Sequence, residues 1–178
     1  RTLHWFRNDL RLDDNPALAE ALRSDEVVPV VVLDDRFWST DRWGHVKTGP
    51  FRTRFLLESI ADLKAAVEDV GGQLLIRQGR PENILPGLME AWSCETLTAQ
   101  AEHTPEELDI EAAVARAVDE VGGTCRWVEG HTLFHPDDLP MDLDAIPDIF
   151  TQFRKKVEKH SEVRECIAAP TALSCPEG

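Results

Sequence analysis

Thr2-Leu3-His4-Trp5-Phe6-Arg7-Asn8-Asp9-Leu10-Arg11-Leu12-Asp13-Asp14-Asn15-Pro16 decides how the rest of this chain is read. The apolar run up to Phe6 can pair in a sheet, and the charges after it mark where the strand leaves the core at its carboxyl end. Asp14 or Asn15 can cap a helix that starts at Pro16, because proline's missing N–H would have no helical partner there anyway. The unit is therefore strand, charged turn, helix. In open α/β sheets ligands are met beyond the carboxyl ends of strands, which puts this turn on the functional side. The competing reading is that Arg7, Asp9, Arg11 and Asp13 only tie the turn together.

Outward from this unit the rhythm repeats. Val27 to Leu33 is nearly all β-branched, as expected of a strand covered on both faces, with Pro29 at its start or at a bulge. The loop from Arg36 to Thr48 carries Phe37, Trp38 and Trp43, read as packing rather than as ligand lining. Pro50 opens a long helix to about Val70, with Phe51, Phe55, Leu56, Ile60, Leu63 and Val67 at helical spacing. Gln73 to Gln78 is the third strand, and Pro81 to Trp92 a helix kinked or split by Pro86. Glu95 to Gln100 is the fourth strand. Thr104, Pro105 and Glu107 then spell a capping box for a helix to about Val121, and Thr124 to Glu129 is the fifth strand. Strands alternating with helices in this way imply an α/β fold of three layers around a five-stranded parallel sheet.

Past Gly130 the pattern breaks. An irregular stretch pinned by Leu133, Phe134 and Leu139 leads to a short helix, Pro147 to Glu158, with Ile149, Phe150, Phe153 and Val157 on one face. We read residues 1–159 as one domain and 160–178 as a linker or tail.

Composition narrows the function. A formal charge of −14 argues against direct DNA binding, since affinity for a polyanion comes largely from Lys and Arg on phosphates. Cys94, Cys125, Cys166 and Cys175 show neither C-x-x-C spacing nor clustered histidines, so they read as reduced thiols with no metal site. No apolar run is long enough for a membrane span and no signal core opens the chain, which reads as cytosolic or organellar. A start at Arg1 rather than Met suggests a processed protein or a fragment. There is no G-x-G-x-x-G, P-loop or H-I-G-H-like motif, which weakens the case for a phosphate-handling enzyme.

The stretch from Trp5 to Asn15 resembles the opening of the photolyase and cryptochrome family, where a strand ends in Trp-Phe-Arg-x-Asp-Leu-Arg followed by Asp-Asn. Lys47-Thr48-Gly49, Leu75-Ile76-Arg77, Asp137-Asp138-Leu139-Pro140, Ile146-Pro147-Asp148 and Phe150 to Lys155 extend the similarity in order along the chain, the last three in the manner of DASH-type cryptochromes. The resemblance implies a Rossmann-like amino-terminal antenna domain, normally followed by a helical domain that binds FAD and the DNA lesion. With that helical domain absent, neither light-driven repair of pyrimidine dimers nor flavin-based light sensing is expected of this chain alone. What remains is the antenna role, binding a light-harvesting methenyltetrahydrofolate or deazaflavin. Carried onto this sequence, the family's antenna contacts fall on Asp34, Arg52, Glu102 and His103. A carboxylate at a strand end, Glu102, can accept hydrogen bonds from a pterin, and Arg52 can face an acidic tail or ring carbonyls. Without a ligand, Arg52 would pair with a nearby acid and Glu102 would serve the next helix's N-terminus. His4 and His131 read as core or turn residues, and Trp92 and Trp127 as packing. The helical FAD domain is the implied partner, and its uncovered docking face would favour self-association. The alternative is a free-standing photolyase-like module that binds a nucleotide, a pterin or a protein.

Overall fold

The first strand, β1 (Thr2–Phe6), is buried at every residue, which requires cover on both faces and a neighbour on each edge. A computed structural model, describing residues 1–41 and 43–176, shows that arrangement. β2 (Val27–Leu33), β3 (Leu75–Gln78), β4 (Thr96–Gln100) and β5 (Thr124–Val128) join β1 in one sheet ordered β3-β2-β1-β4-β5. All pairings are parallel, with Trp5 opposite Val30 on one side and Ala99 on the other. The helices α1 (Pro16–Ala21), α2 (Pro50–Asp69), α3 (Pro81–Trp92) and α4 (Pro105–Glu120) cross between strands.

Alternation along the strands divides the core in two. Leu3, Trp5, Val30 and Leu97 point to the side where Leu85 and Met89 of α3 and Val114 and Val118 of α4 pack. Phe6 and Val31 point to the other, against Leu18 of α1 and Ile60, Leu63 and Val67 of α2. The strand order reverses between β1 and β4, so the crevice beyond their carboxyl ends is where this fold takes ligands.

Several local expectations need correction. Pro29 is neither first in its strand nor at a bulge; it is third in β2, and the ladder to β3 starts only at Val30 opposite Leu75, so no β3 bond is lost there. Pro86 does not split α3, which is one helix from Pro81 to Trp92. The capping box does not form, since Thr104 makes no side-chain cap bond. Phe51 and Phe55 are 88% and 71% exposed, because only the later turns of α2 lie over the sheet. The last helix, α5 (Phe150–His160), starts later than its sequence suggests and buries only Val157, leaving Ile149 and Phe150 exposed. Leu133 is exposed too and pins nothing.

The segment after α5 is irregular, yet it does not trail away as a linker would. The Asp14 N–H donates to the Ile167 carbonyl at 2.7 Å, Leu173 N–H to Val70 at 2.8 Å, and Val27 N–H to Ser174 at 2.9 Å. Leu173 is buried in the core beneath α1 and α2. These contacts make a strap down one face of the domain.

Candidate functional site

The turn after β1 is built on Asp9 and Asn15, both buried. Asp9 accepts from the Arg7 N–H at 2.9 Å and from Asn15 Nδ2 at 3.0 Å, while Asn15 Oδ1 accepts from the Leu18 N–H at 2.9 Å and so caps α1. Arg11 donates to the Asp14 carbonyl at 2.8 Å. Arg7 turns inward: it pairs with Glu111 of α4, donates to the Gln100 carbonyl at 3.0 Å and stacks over Trp5 at 4.8 Å. Much of the turn's charge therefore serves architecture.

Beside it lies a cleft of about 100 Å³, floored by Trp5, Phe6 and the end of β2 and walled by Phe37, Leu56, Glu107 and Ile110. It adjoins a second hollow of about 190 Å³ toward Thr48, Phe55 and Ser59, and the two share Arg7, Asn8, Phe37, Arg52 and Leu56. Lys47 pairs with Glu106 at the start of α4, tying the loop that precedes α2 to that helix. Of the three loop aromatics, Trp38 packs as expected, with Nε1 donating to Thr53 Oγ1 at 2.9 Å; Phe37 instead lines the cleft, and Trp43 is exposed.

The four residues suggested by the sequence fall into two pairs. Asp34 and Arg52 both line the cleft. Asp34 is held by the Arg36 guanidinium at 2.7 Å, and Arg36 reaches on to Glu82 at 2.8 Å. Burial works against the Arg36 charge, but hydrogen bonds to the two acids outweigh it and raise its pKa. Arg52 has no ion pair or hydrogen bond among the described residues, whereas Arg54, two residues on, pairs with Glu58 at 2.7 Å. The other pair does not line this cleft. Glu102 is only 5% exposed; its Oε1 accepts from Asn8 Nδ2 at 2.8 Å and its Oε2 lies 3.7 Å from His131 Nδ1. Asn8 lines the cleft, so Glu102 stands one residue behind it. His103 pairs with Glu129 at 3.1 Å.

Sequence reasoning missed Glu107. Its place three residues after Thr104 spelled a cap, but its side chain lines the cleft, and its Oε2 is shielded from solvent with no hydrogen-bond partner. A buried acceptor left without a donor costs about 1–3 kcal/mol, so it is seldom retained without reason. Within the sheet, His4 Nδ1 meets Thr98 Oγ1 at 3.0 Å while Nε2 has no partner. Burial lowers the His4 pKa to about 4, against the opposing pull of Asp9, and the ring is neutral. Burial also pushes the Cys94 and Cys125 thiols up to about 11, and all four cysteines are unpaired. Among the described residues no cluster of His, Cys, Asp and Glu could hold a metal, and no helix is long and apolar enough to cross a membrane.

Comparison with known proteins agrees with this architecture. A family model described as DNA photolyase matches residues 2–176. The chain is 41% identical over 172 residues to cryptochrome DASH of Gloeobacter violaceus, covering 96% of this chain and 34% of that protein. It is 42% identical over 176 residues to the chloroplastic/mitochondrial cryptochrome DASH of Arabidopsis thaliana, covering 97% of this chain and 31% of that one. The solved structure of a Synechocystis cryptochrome superposes with a TM-score of 0.94 at 38% identity, over 98% of this chain and 36% of that one. The chain thus spans about a third of the length of these relatives. It belongs to the DNA photolyase family, among the DASH cryptochromes.

Proposed function

We propose that this chain is the amino-terminal light-harvesting domain of a DASH-type blue-light flavoprotein, holding an antenna chromophore in the cleft beyond β1 and β2. The cleft carries the proposal: its floor is apolar and aromatic, and its wall offers a cation, Arg52, and a carboxylate oxygen on Glu107 that both lack partners among the described residues. A flat heteroaromatic ring suits such a site, burying its faces against apolar side chains while a few polar groups fix its orientation. Methenyltetrahydrofolate and deazaflavins have this shape and absorb in the near ultraviolet or blue. When bound, the chromophore supplies excitation energy to a flavin. This chain's own residues shelter the ring, orient it and hold charge beside it.

In this reading FAD, any contact with DNA, and the repair or signalling chemistry belong to a helical domain outside the present chain, and the antenna domain alone is not catalytic. The exposed Phe51 and Phe55 on α2 favour a domain that docks a partner over a self-contained binding module, and left uncovered they favour self-association. The setting is the cytosol or an organelle, the latter in line with the name of the Arabidopsis relative.

The test is an absorption spectrum of the purified chain before and after incubation with a reduced folate and with a deazaflavin, each followed by gel filtration. A near-ultraviolet or blue band that co-elutes with the protein and is lost in Arg52→Ala is the expected result. Spectra showing only tryptophan in every sample would refute the antenna reading for this chain.

A further inference from the structure

Residues 142–159 separate their charges along the chain. Asp142, Asp144 and Asp148 come first, Lys155, Lys156 and Lys159 follow on α5, and all six are exposed. None of the six has an ion pair among the described residues, whereas the lysines elsewhere in the chain, Lys47 and Lys64, pair with Glu106 and Glu68. The α5 lysines thus stay unpaired in a chain with 33 acids against 19 Lys and Arg residues. Lys155 and Lys159 stand one turn apart with Lys156 beside them, on the side of α5 turned away from the buried Val157. Between the two charge sets lie the exposed side chains of Ile146, Ile149 and Phe150. Next to the acids, an open hollow of about 520 Å³ is lined by Asp137, Leu139, Asp142 and Leu143. The order of charges suits the helix dipole of α5, but the dipole pairs no lysine with an acid. At about 1.5 Å of rise per residue, the helix holds its lysines about 8–14 Å along the axis from Phe150, away from the acids that precede it.

We infer that residues 142–159 form a two-fold docking surface for a second copy of this chain. With the segments antiparallel, Lys155, Lys156 and Lys159 of one copy face Asp142, Asp144 and Asp148 of the other, and symmetry repeats the contact with the roles exchanged. Ile146, Ile149 and Phe150 meet their counterparts at the axis, where apolar burial adds attraction. The charge pattern selects this occupant. A polyanion drawn to the lysines is repelled by the acids beside them, and a basic partner drawn to the acids is repelled by the lysines. A partner must carry the reverse pattern to satisfy both halves, and a second copy turned end for end does so. None of these residues lines the cleft, so the inference stands apart from the chromophore reading.

The experiment is sedimentation velocity of the chain over a concentration series in about 0.1 M salt, where charges more than about 10 Å apart are largely screened and the net −14 on each copy opposes the contact little. Two triple variants are compared with wild type: Lys155→Glu, Lys156→Glu, Lys159→Glu, and Asp142→Lys, Asp144→Lys, Asp148→Lys. Wild type should show a concentration-dependent monomer and dimer. Each variant alone should dimerise at least about tenfold more weakly, since every charge contact across the axis becomes repulsive. An equimolar mixture of the two should restore a dimer containing one of each, followed by a dye on one variant. A folding defect cannot produce that rescue, and circular dichroism of each variant checks the fold directly. A wild type that stays monomeric throughout the series overturns the inference. So does a dimer that persists in both variants, which would place the contact on another face such as that of Phe51 and Phe55. A monomer that binds a single-stranded oligonucleotide, and loses it in the Lys→Glu variant, would assign the lysines to phosphates and overturn it as well.

Discussion

Acidifying the protein from pH 7 to pH 4 should remove about 3 kcal/mol of stability through His4 alone. The imidazole is fully buried in β1, and its pKa falls from 6.5 in the open chain to about 4 in the fold. Between those values the unfolded chain binds a proton that the folded one refuses, so stability drops as pH falls through the window. The contribution is fully present above about 6.5 and levels off below about 4. At about 1.4 kcal/mol per pH unit, the loss relative to neutral pH is roughly 2 kcal/mol at pH 5 and roughly 3 kcal/mol at pH 4. His4→Phe supplies the reference. The ring already packs edge-on against Phe6 at 4.4 Å, and the change removes an unpaired Nε2 together with the bond to Thr98. Urea denaturation of both proteins at pH 7, 6, 5 and 4 gives the difference in stability, from which the surface carboxylates cancel. That difference should swing against wild type by the amounts above. A flat difference across the series would show that His4 titrates alike in both states and would sink the argument.

Other perturbations probe the frame. Arg7→Met leaves Glu111 buried without its cation and should cost about 3–5 kcal/mol, read from the denaturation midpoint. In Gly72→Ala the new Cβ would meet Leu173 Cδ2 at 2.6 Å and Val67 Cγ1 at 2.9 Å, so the variant should lose about 1–3 kcal/mol. Leu173→Ala should itself cost about 2–4 kcal/mol, and the double variant should lose less than the sum because the clash is partly relieved. Glu107→Leu should raise the melting temperature of the ligand-free protein, since it removes an unsatisfied acceptor that costs about 1–3 kcal/mol. A lower melting temperature would mean that the carboxylate supports the fold instead.

Periodicity made the sheet legible. The strand runs and the helices α1 to α4 lie within a residue or two of where the sequence put them, and Asn15 caps α1 as one of its two candidates. What the sequence could not convey depends on partners distant along the chain. Spacing in α2 shows an apolar stripe from Phe51 to Val67, but not that its first turns overhang the sheet. Glu102 stood out as a carboxylate at a strand end, yet its bond to Asn8 joins the ends of two strands and has no local signature. Glu107 was concealed by a better-known motif at the same spacing. The strap after α5 has no period because it is held by three backbone hydrogen bonds and one buried leucine, none of which leaves a pattern.

The strap also has a mechanical side. Its last anchors, Leu173 to Val70 and Ser174 to Val27, lie at the amino edge of the sheet, the same edge at which β1 begins. The cleft beyond β1 and β2 opens at the opposite edge. A tension applied through the chain beyond Pro176 is therefore borne first by these anchors, before it reaches the strand ends that shape the cleft. A tether, dye or surface linkage attached there would act as a handle and leave the edge that carries the cleft unobstructed.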